Sequence, residues 1–95
     1  MEQHEQQVQI KADDVTLKGV YSNLAVIGHT KEEFSFDFIG IVQNQGMLVS
    51  RVIMSPGHAK RLLAALEENL KMYEKNTGKK IEEAEEPKKS IGFTK

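Results

Sequence analysis

Cysteine is absent from this chain, and with it go disulfides, thiolate metal sites and cysteine nucleophiles. No apolar run approaches the roughly 20 residues that cross a bilayer as a helix. Neither sign of charge dominates: 13 Lys and Arg stand against 14 Asp and Glu. The clustered basic surface behind non-specific nucleic-acid binding is therefore missing from the overall balance. A Gly-rich phosphate loop is missing too, since Gly28 and Gly46 stand alone, and no His-Glu-x-x-His metal spacing occurs. Residues 1–7 are polar and acidic, without the basic start and apolar core of a secretory signal. Together these absences lead us to expect a cytoplasmic protein with no membrane span, no catalytic or metal motif and no cofactor.

What remains is one small domain. A chain of 95 residues buries a modest share of its surface, and oligomerisation is a common remedy. Three parts are expected. Residues 1–7 form a flexible N-terminus, residues 8–78 a single domain, and residues 79–95 a disordered tail. The tail holds an acidic block, Pro87 and a basic pair, with Ile91-Gly92-Phe93 as an apolar island, read as part of an inert tail ahead of a short docking peptide.

Alternation of apolar and polar residues predicts the strands. Residues 8–12 alternate, Asp13-Asp14 interrupts, and Val15 and Leu17 resume the pattern. Strands are then expected over 20–29, 34–42 and 47–54. Residues 43–46, Gln-Asn-Gln-Gly, mark a hairpin turn, because Asn and Gly tolerate positive φ. Ser55-Pro56 is a helix start: Ser accepts from a free first-turn amide, and Pro loses no bond there. The helix should run to about residue 76 and end at Gly78 in a left-handed cap. Ala59, Leu62, Leu63, Leu66, Leu70 and Tyr73 fall within about 100° of arc on one side. Lys60, Glu67, Glu68, Lys71 and Lys75 fall opposite. His58, Ala65, Asn69 and Met72 form a row beside the apolar stripe.

The strand over 34–42, Phe-Ser-Phe-Asp-Phe-Ile-Gly-Ile-Val, is apolar on both faces. If the hairpin sets Val42 opposite Met47, one face carries Phe34, Phe36, Phe38, Val42, Met47, Val49 and Ile53 with Arg51. The other carries Ile39, Ile41, Leu48, Val52 and Met54 with Ser35, Asp37 and Ser50. A one-residue shift regroups these sets and brings Asp37 opposite Arg51. One helix stripe covers one sheet face. The second face is then an apolar patch of the kind that marks an interface. A second copy of the chain is the expected cover, ahead of the alternative that the N-terminal strands curl over this face, with a protein or peptide segment as further partner.

Chemistry-bearing residues are few. His29, His58 and Asp37 would have to assemble a metal or acid–base site, and surface or capping roles account for them more simply. Asp37 needs a partner if buried, and Arg51 is the one charged residue of the last strand. Tyr21-Ser22-Asn23 is read first as a strand-edge irregularity, and otherwise offers polar groups for a ligand or for an edge backbone. No catalytic, cofactor or metal residue is assigned. The contact candidates are Phe34, Phe36, Phe38, Ile39, Ile41, Arg51, His58, Asn69, Met72 and Tyr73.

Several of these residues carry a resemblance. Tyr21-Ser22-Asn23, His29-Thr30, Glu33-Phe34, Asp37-Phe38 and Met54-Ser55-Pro56 with His58-Ala59-Lys60 resemble a family of small bacterial proteins. That family is a domain of unknown function. Leu63, Leu66, Asn69, Leu70 and Tyr73 continue the likeness, which spans about residues 15–78. It implies a compact β-meander followed by a helix, and no activity. In element order alone the chain is also similar to SecB-type export chaperones, which are oligomeric and bind non-native polypeptide.

The expected fold is α+β: a curved antiparallel meander of three to five strands, then one long C-terminal helix packed on the sheet. The expected function is a non-enzymatic, homo-oligomeric protein-binding or adaptor module. Its alternative is a nucleic-acid or phage-related accessory protein using Lys60, Arg61, Arg51 and Lys71.

Overall fold

The computed structural model describes residues 6–85 and residue 92. Residues 1–5 and the Ile91–Phe93 apolar island lie outside that range, apart from Gly92. The chain runs α1 (Asp14–Lys18), β1 (Leu24–His29), β2 (Phe34–Val42), β3 (Gln45–Met54) and α2 (Pro56–Thr77). The three strands form one antiparallel sheet in the order β1-β2-β3, so the class is α+β and the meander-then-helix order is as expected.

The N-terminal alternation misleads. Residues 8–12 form no strand, and Val15 and Leu17 belong to α1. Asp13 decides this. Its Oδ1 accepts from the Thr16 amide at 2.7 Å and caps the first turn. Hydrogen bonding from Thr16, side chain first and amide second, holds the Asp13 carboxyl below the usual carboxylate range. Gly19 then closes the helix at φ 76. An Asp that breaks a strand pattern was here starting a helix.

β1 begins at Leu24, not at residue 20, because Ser22 and Asn23 turn their side chains on β2. In the β2–β3 hairpin Val42 pairs with Gln45, leaving a two-residue loop of Gln43 and Asn44. Gln43 takes φ 57 there. The expected pairing of Val42 with Met47 is thus corrected. Near the loop the faces are nevertheless grouped as expected, since Met47 lies opposite Gly40 and Leu48 opposite Ile39. A register shift follows between Phe38 and Ile39, with Val49 the extra residue of β3. Beyond it every β3 side chain changes face.

The observed faces follow from this register. One holds Phe34, Phe36, Phe38, Val42 and Met47 together with Ala25, Ile27, His29, Ser50, Val52 and Met54. The other holds Leu24, Val26, Ser35, Asp37, Ile39, Ile41, Leu48, Arg51 and Ile53. The buried residues share this second face: Ile39 is 4% exposed, Leu24 8% and Asp37 9%.

α2 has the ends its sequence predicts. Ser55 Oγ accepts from the His58 amide at 3.2 Å, and Pro56 opens the first turn. Gly78 caps the C-terminus at φ 69, ψ 11, its amide donating to Glu74 O at 2.9 Å. The packing of this helix departs from expectation: no residue of α2 is buried. Leu62, Leu63, Leu66, Leu70 and Tyr73 keep between 38% and 55% of their surface open.

Candidate functional site

Asp37 and Arg51 sit directly opposite each other on β2 and β3. Arg51 Nε donates to Asp37 Oδ1 at 2.6 Å and Nη2 to Oδ2 at 2.9 Å, a two-bond fork. The Asp37 side chain is 12% exposed and that of Arg51 53%. The Arg51 hydrogen bonds hold the Asp37 carboxyl below the usual range, against the opposing effect of desolvation. The same bonds raise Arg51. Both carboxylate oxygens are engaged, so the pair is satisfied and its chemistry is structural: it fixes β3 against β2.

The histidines do not join it. His29 is the last residue of β1, on the aromatic face, stacked on Phe34 with centroids 5.2 Å apart and planes at 24°. Asp37 points to the opposite face. His58 lies in the first turn of α2, its Nδ1 3.2 Å from Arg61 Nη2. Among the described residues no group of three or more His, Asp or Glu could hold a metal ion.

Tyr21-Ser22-Asn23 proves to be a clamp on β2. Asn23 Nδ2 donates to Ile41 O and its Oδ1 accepts from Ile41 N, both at 2.9 Å. The carboxamide thus imitates one more strand residue at the end of β1. The Asn23 amide itself donates to Ile39 O at 3.1 Å. Ser22 Oγ reaches Ile39 O at 3.0 Å and Leu24 O at 2.9 Å. The chain passes so close that a Cβ on Gly40 would lie 3.1 Å from Tyr21 O. Residues 20–25 and Phe38 line a shallow groove at this place.

The remaining candidates divide between core and surface. Ile39 is core. Phe34, Phe36, Phe38 and Ile41 are half-buried, and Phe36 and Phe38 stack at 6.4 Å and 15°. Met72 and Tyr73 are half-open on α2, and Asn69 Nδ2 is tied back to Ala65 O at 2.9 Å. The aromatic face is an apolar surface of the sheet, flanked by exposed Ile27, Val52 and Met47. Sequence reasoning offered Tyr21-Ser22-Asn23 to a ligand or an edge backbone without naming β2 as the strand it holds. It did not place the Val49 bulge, whose signal was the pairing of Asp37 with Arg51 that only a one-residue shift allows.

No curated protein and no solved structure matches this chain. No helix among the described residues is long and apolar enough to cross a membrane. One family model does match, over residues 1–83: it is described as a protein of unknown function, DUF3467, and the chain belongs to that family.

Proposed function

We propose that this chain is a non-enzymatic, homo-oligomeric module of the bacterial cytoplasm that binds protein segments. One observation carries the reading: the aromatic face of the sheet. Phe34, Phe36 and Phe38 remain partly open in a row, with Ile27, Val52 and Met47 beside them. A contiguous apolar patch on a small protein marks an interaction surface. β1 and β3 are the two edge strands, and neither has a further strand partner among the described residues. Extended, apolar polypeptide suits such a surface, with side chains on the phenyls and main chain on an edge. SecB-type chaperones show the same order of strands then helix, an analogy that carries no function by itself.

The test is fluorescence anisotropy of a labelled, unfolded, alkylated polypeptide titrated with the chain. Saturable binding is expected, weakened at least tenfold by Phe36→Ser and unchanged by Lys60→Ala. No binding by the unsubstituted protein refutes the reading. Salt-sensitive retention on DNA, lost in Lys60→Ala, would replace it with the nucleic-acid alternative.

A further inference from the structure

The hydrogen bonds of the sheet fix which residues of β1 present their backbone outward. In an antiparallel ladder, residues whose N–H and C=O point at the neighbouring strand alternate with residues whose groups point away. One step beyond the His29↔Phe34 pair, the Thr30 amide donates to Glu33 O at 2.9 Å. The register runs unbroken from there to Leu24↔Ile39. Gly28, Val26 and Leu24 therefore turn their backbone groups to β2. Ile39 and Ile41 agree with this alternation, since Ile39 O and both backbone groups of Ile41 meet Asn23 on the β1 side. Ala25, Ile27 and His29 point theirs away from β2. The described turns and loops send no backbone hydrogen bond to these three.

The same three residues carry their side chains on the aromatic face, beside Phe38, Phe36 and Phe34. Free backbone and apolar floor thus coincide. Their spacing, about 6.8 Å between alternate residues, is the repeat of any extended chain. Natural edges are blunted by charge, proline or a bulge. β1, Leu-Ala-Val-Ile-Gly-His, has no acidic or basic chain, no proline and no break in register. β3 is blunted by Arg51 and by the bulge at Val49. The even residues of β2 face β3, so the outward groups of β3 belong to Arg51 and Ile53, whose side chains lie on the opposite face.

Ala25 sets a side-chain preference. It lies opposite Phe38, and the shallow groove of residues 20–25 and Phe38 opens there. A strand added to the edge sets one side chain directly beside Ala25, and a bulky apolar one fills the groove against the Phe38 ring.

We infer that the outer edge of β1 is the docking edge, occupied by an extended polypeptide segment running antiparallel and bonded to Ala25, Ile27 and His29. The segment carries a bulky apolar residue beside Ala25 and a second apolar residue two positions earlier, beside Ile27. The inference rests on the segment-binding reading and names its edge, register and preferred side chain. β1 of a second copy suits the edge less. Two β1 strands paired antiparallel through Ile27 would set His29 beside Ala25, and that ring already stacks on its own Phe34 at 5.2 Å, which leaves the groove unfilled.

The test is amide hydrogen exchange followed by NMR, on the unsubstituted protein alone and saturated with the unfolded, alkylated polypeptide, with anisotropy on the same samples. The Ala25, Ile27 and His29 amides should exchange fast in the free protein and at least tenfold more slowly in the complex, while those of Arg51 and Ile53 stay unchanged. Ile27→Pro removes an outward donor and no bond to β2, so it should weaken binding at least fivefold more than Ile27→Ala. Ile53→Pro, the matching change on β3, should leave binding as it was. A labelled peptide Thr-Val-Thr-Val-Thr-Phe-Thr should bind at least threefold more tightly than the same peptide with Ala for Phe, and equal affinities overturn the preference at Ala25. Binding with the three amides still fast, or with protection at Arg51 and Ile53 instead, overturns the edge and leaves the segment-binding reading standing. Protection in the free protein that rises with its concentration overturns it too, in favour of β1 pairing between copies. No binding at all sinks the segment-binding reading and the edge together.

Discussion

Replacing Asn23 isolates what holds the chain to β2 just before β1 begins. The carboxamide makes two hydrogen bonds to the backbone of Ile41, one as donor and one as acceptor, each 2.9 Å. A protein hydrogen bond contributes about 0.5–1.5 kcal/mol net. Both bonds are exposed, so water replaces part of what Asn23→Ala removes, and about 1–2 kcal/mol is the expected loss. With a urea slope of about 1–1.5 kcal/mol per molar for a small protein, the unfolding midpoint should fall by roughly 1 M. Protein concentration must be held constant, because the proposed assembly would stabilise by mass action.

Asn23→Asp sharpens the test. At neutral pH the carboxylate still accepts from the Ile41 amide, but it faces the Ile41 carbonyl oxygen with no proton between them. The variant should then be no more stable than Asn23→Ala. That contact raises the new carboxyl's folded-state pKa, so the folded form takes up its proton first as pH falls. The deficit against the unsubstituted protein is present at neutral pH, shrinks as pH falls through the raised folded-state value, and is smallest below about pH 4, the ordinary carboxylate value. Comparing each variant with the parent at the same pH cancels the acid sensitivity of Asp37. An unchanged midpoint in Asn23→Ala, or an Asp variant that tracks Ala at every pH, would refute the strand-mimic account.

Three further outcomes are expected. Asp37 has a lowered carboxyl pKa, so its contribution is full above about pH 4 and lost as pH falls through the folded value; Arg51→Met should destabilise at pH 7, lose that deficit in acid, and move the Asp37 carboxyl resonance in NMR titration to higher pH. Gly40→Ala adds a Cβ 3.1 Å from Tyr21 O, so the clamp must shift, and thermal unfolding should report a loss of about 1–3 kcal/mol. Gln43 holds φ 57, where a side chain is strained by about 1–2 kcal/mol; Gln43→Gly should therefore raise the urea midpoint, and a lowered one would place the loop conformation in doubt.

The legible parts of this fold are those written in local chemistry. Ser55-Pro56 and Gly78 announce the ends of α2, because caps act within one turn. The β2–β3 hairpin is announced by polar residues between two apolar runs. What escaped has an ambiguous pattern or depends on distant partners. Val15 and Leu17 alternate as well in a strand as in one helical turn, and only the carboxylate of Asp13 tips the balance. The candidate surface was readable as an excess of apolar residues in residues 34–42, yet Ile39 went to the core and the phenyls to the open face. That division is made by the neighbours of β2, not by β2 itself.

The bulge at Val49 shows why polar residues matter most in the most apolar strand. Hydrophobic pattern fixes strand register when one face is buried and the other wet, because a slip of one residue exposes the apolar set. β2 has apolar residues on both faces, so for it that penalty is weak. Its register must be set otherwise. Continuing the loop-proximal register past Ile39 would set Asp37 opposite Ser50 and turn Arg51 to the aromatic face, leaving a buried carboxylate without its guanidinium. The extra residue at Val49 removes that conflict, and on the other side of β2 the Asn23 carboxamide locks Ile41. Two polar contacts, one on each neighbouring strand, thereby hold in place a sheet whose apolar side chains do not choose between registers. Strand alternation alone puts Phe34, Phe36 and Phe38 on one face; the two contacts decide which side chains of β1 and β3 stand beside them.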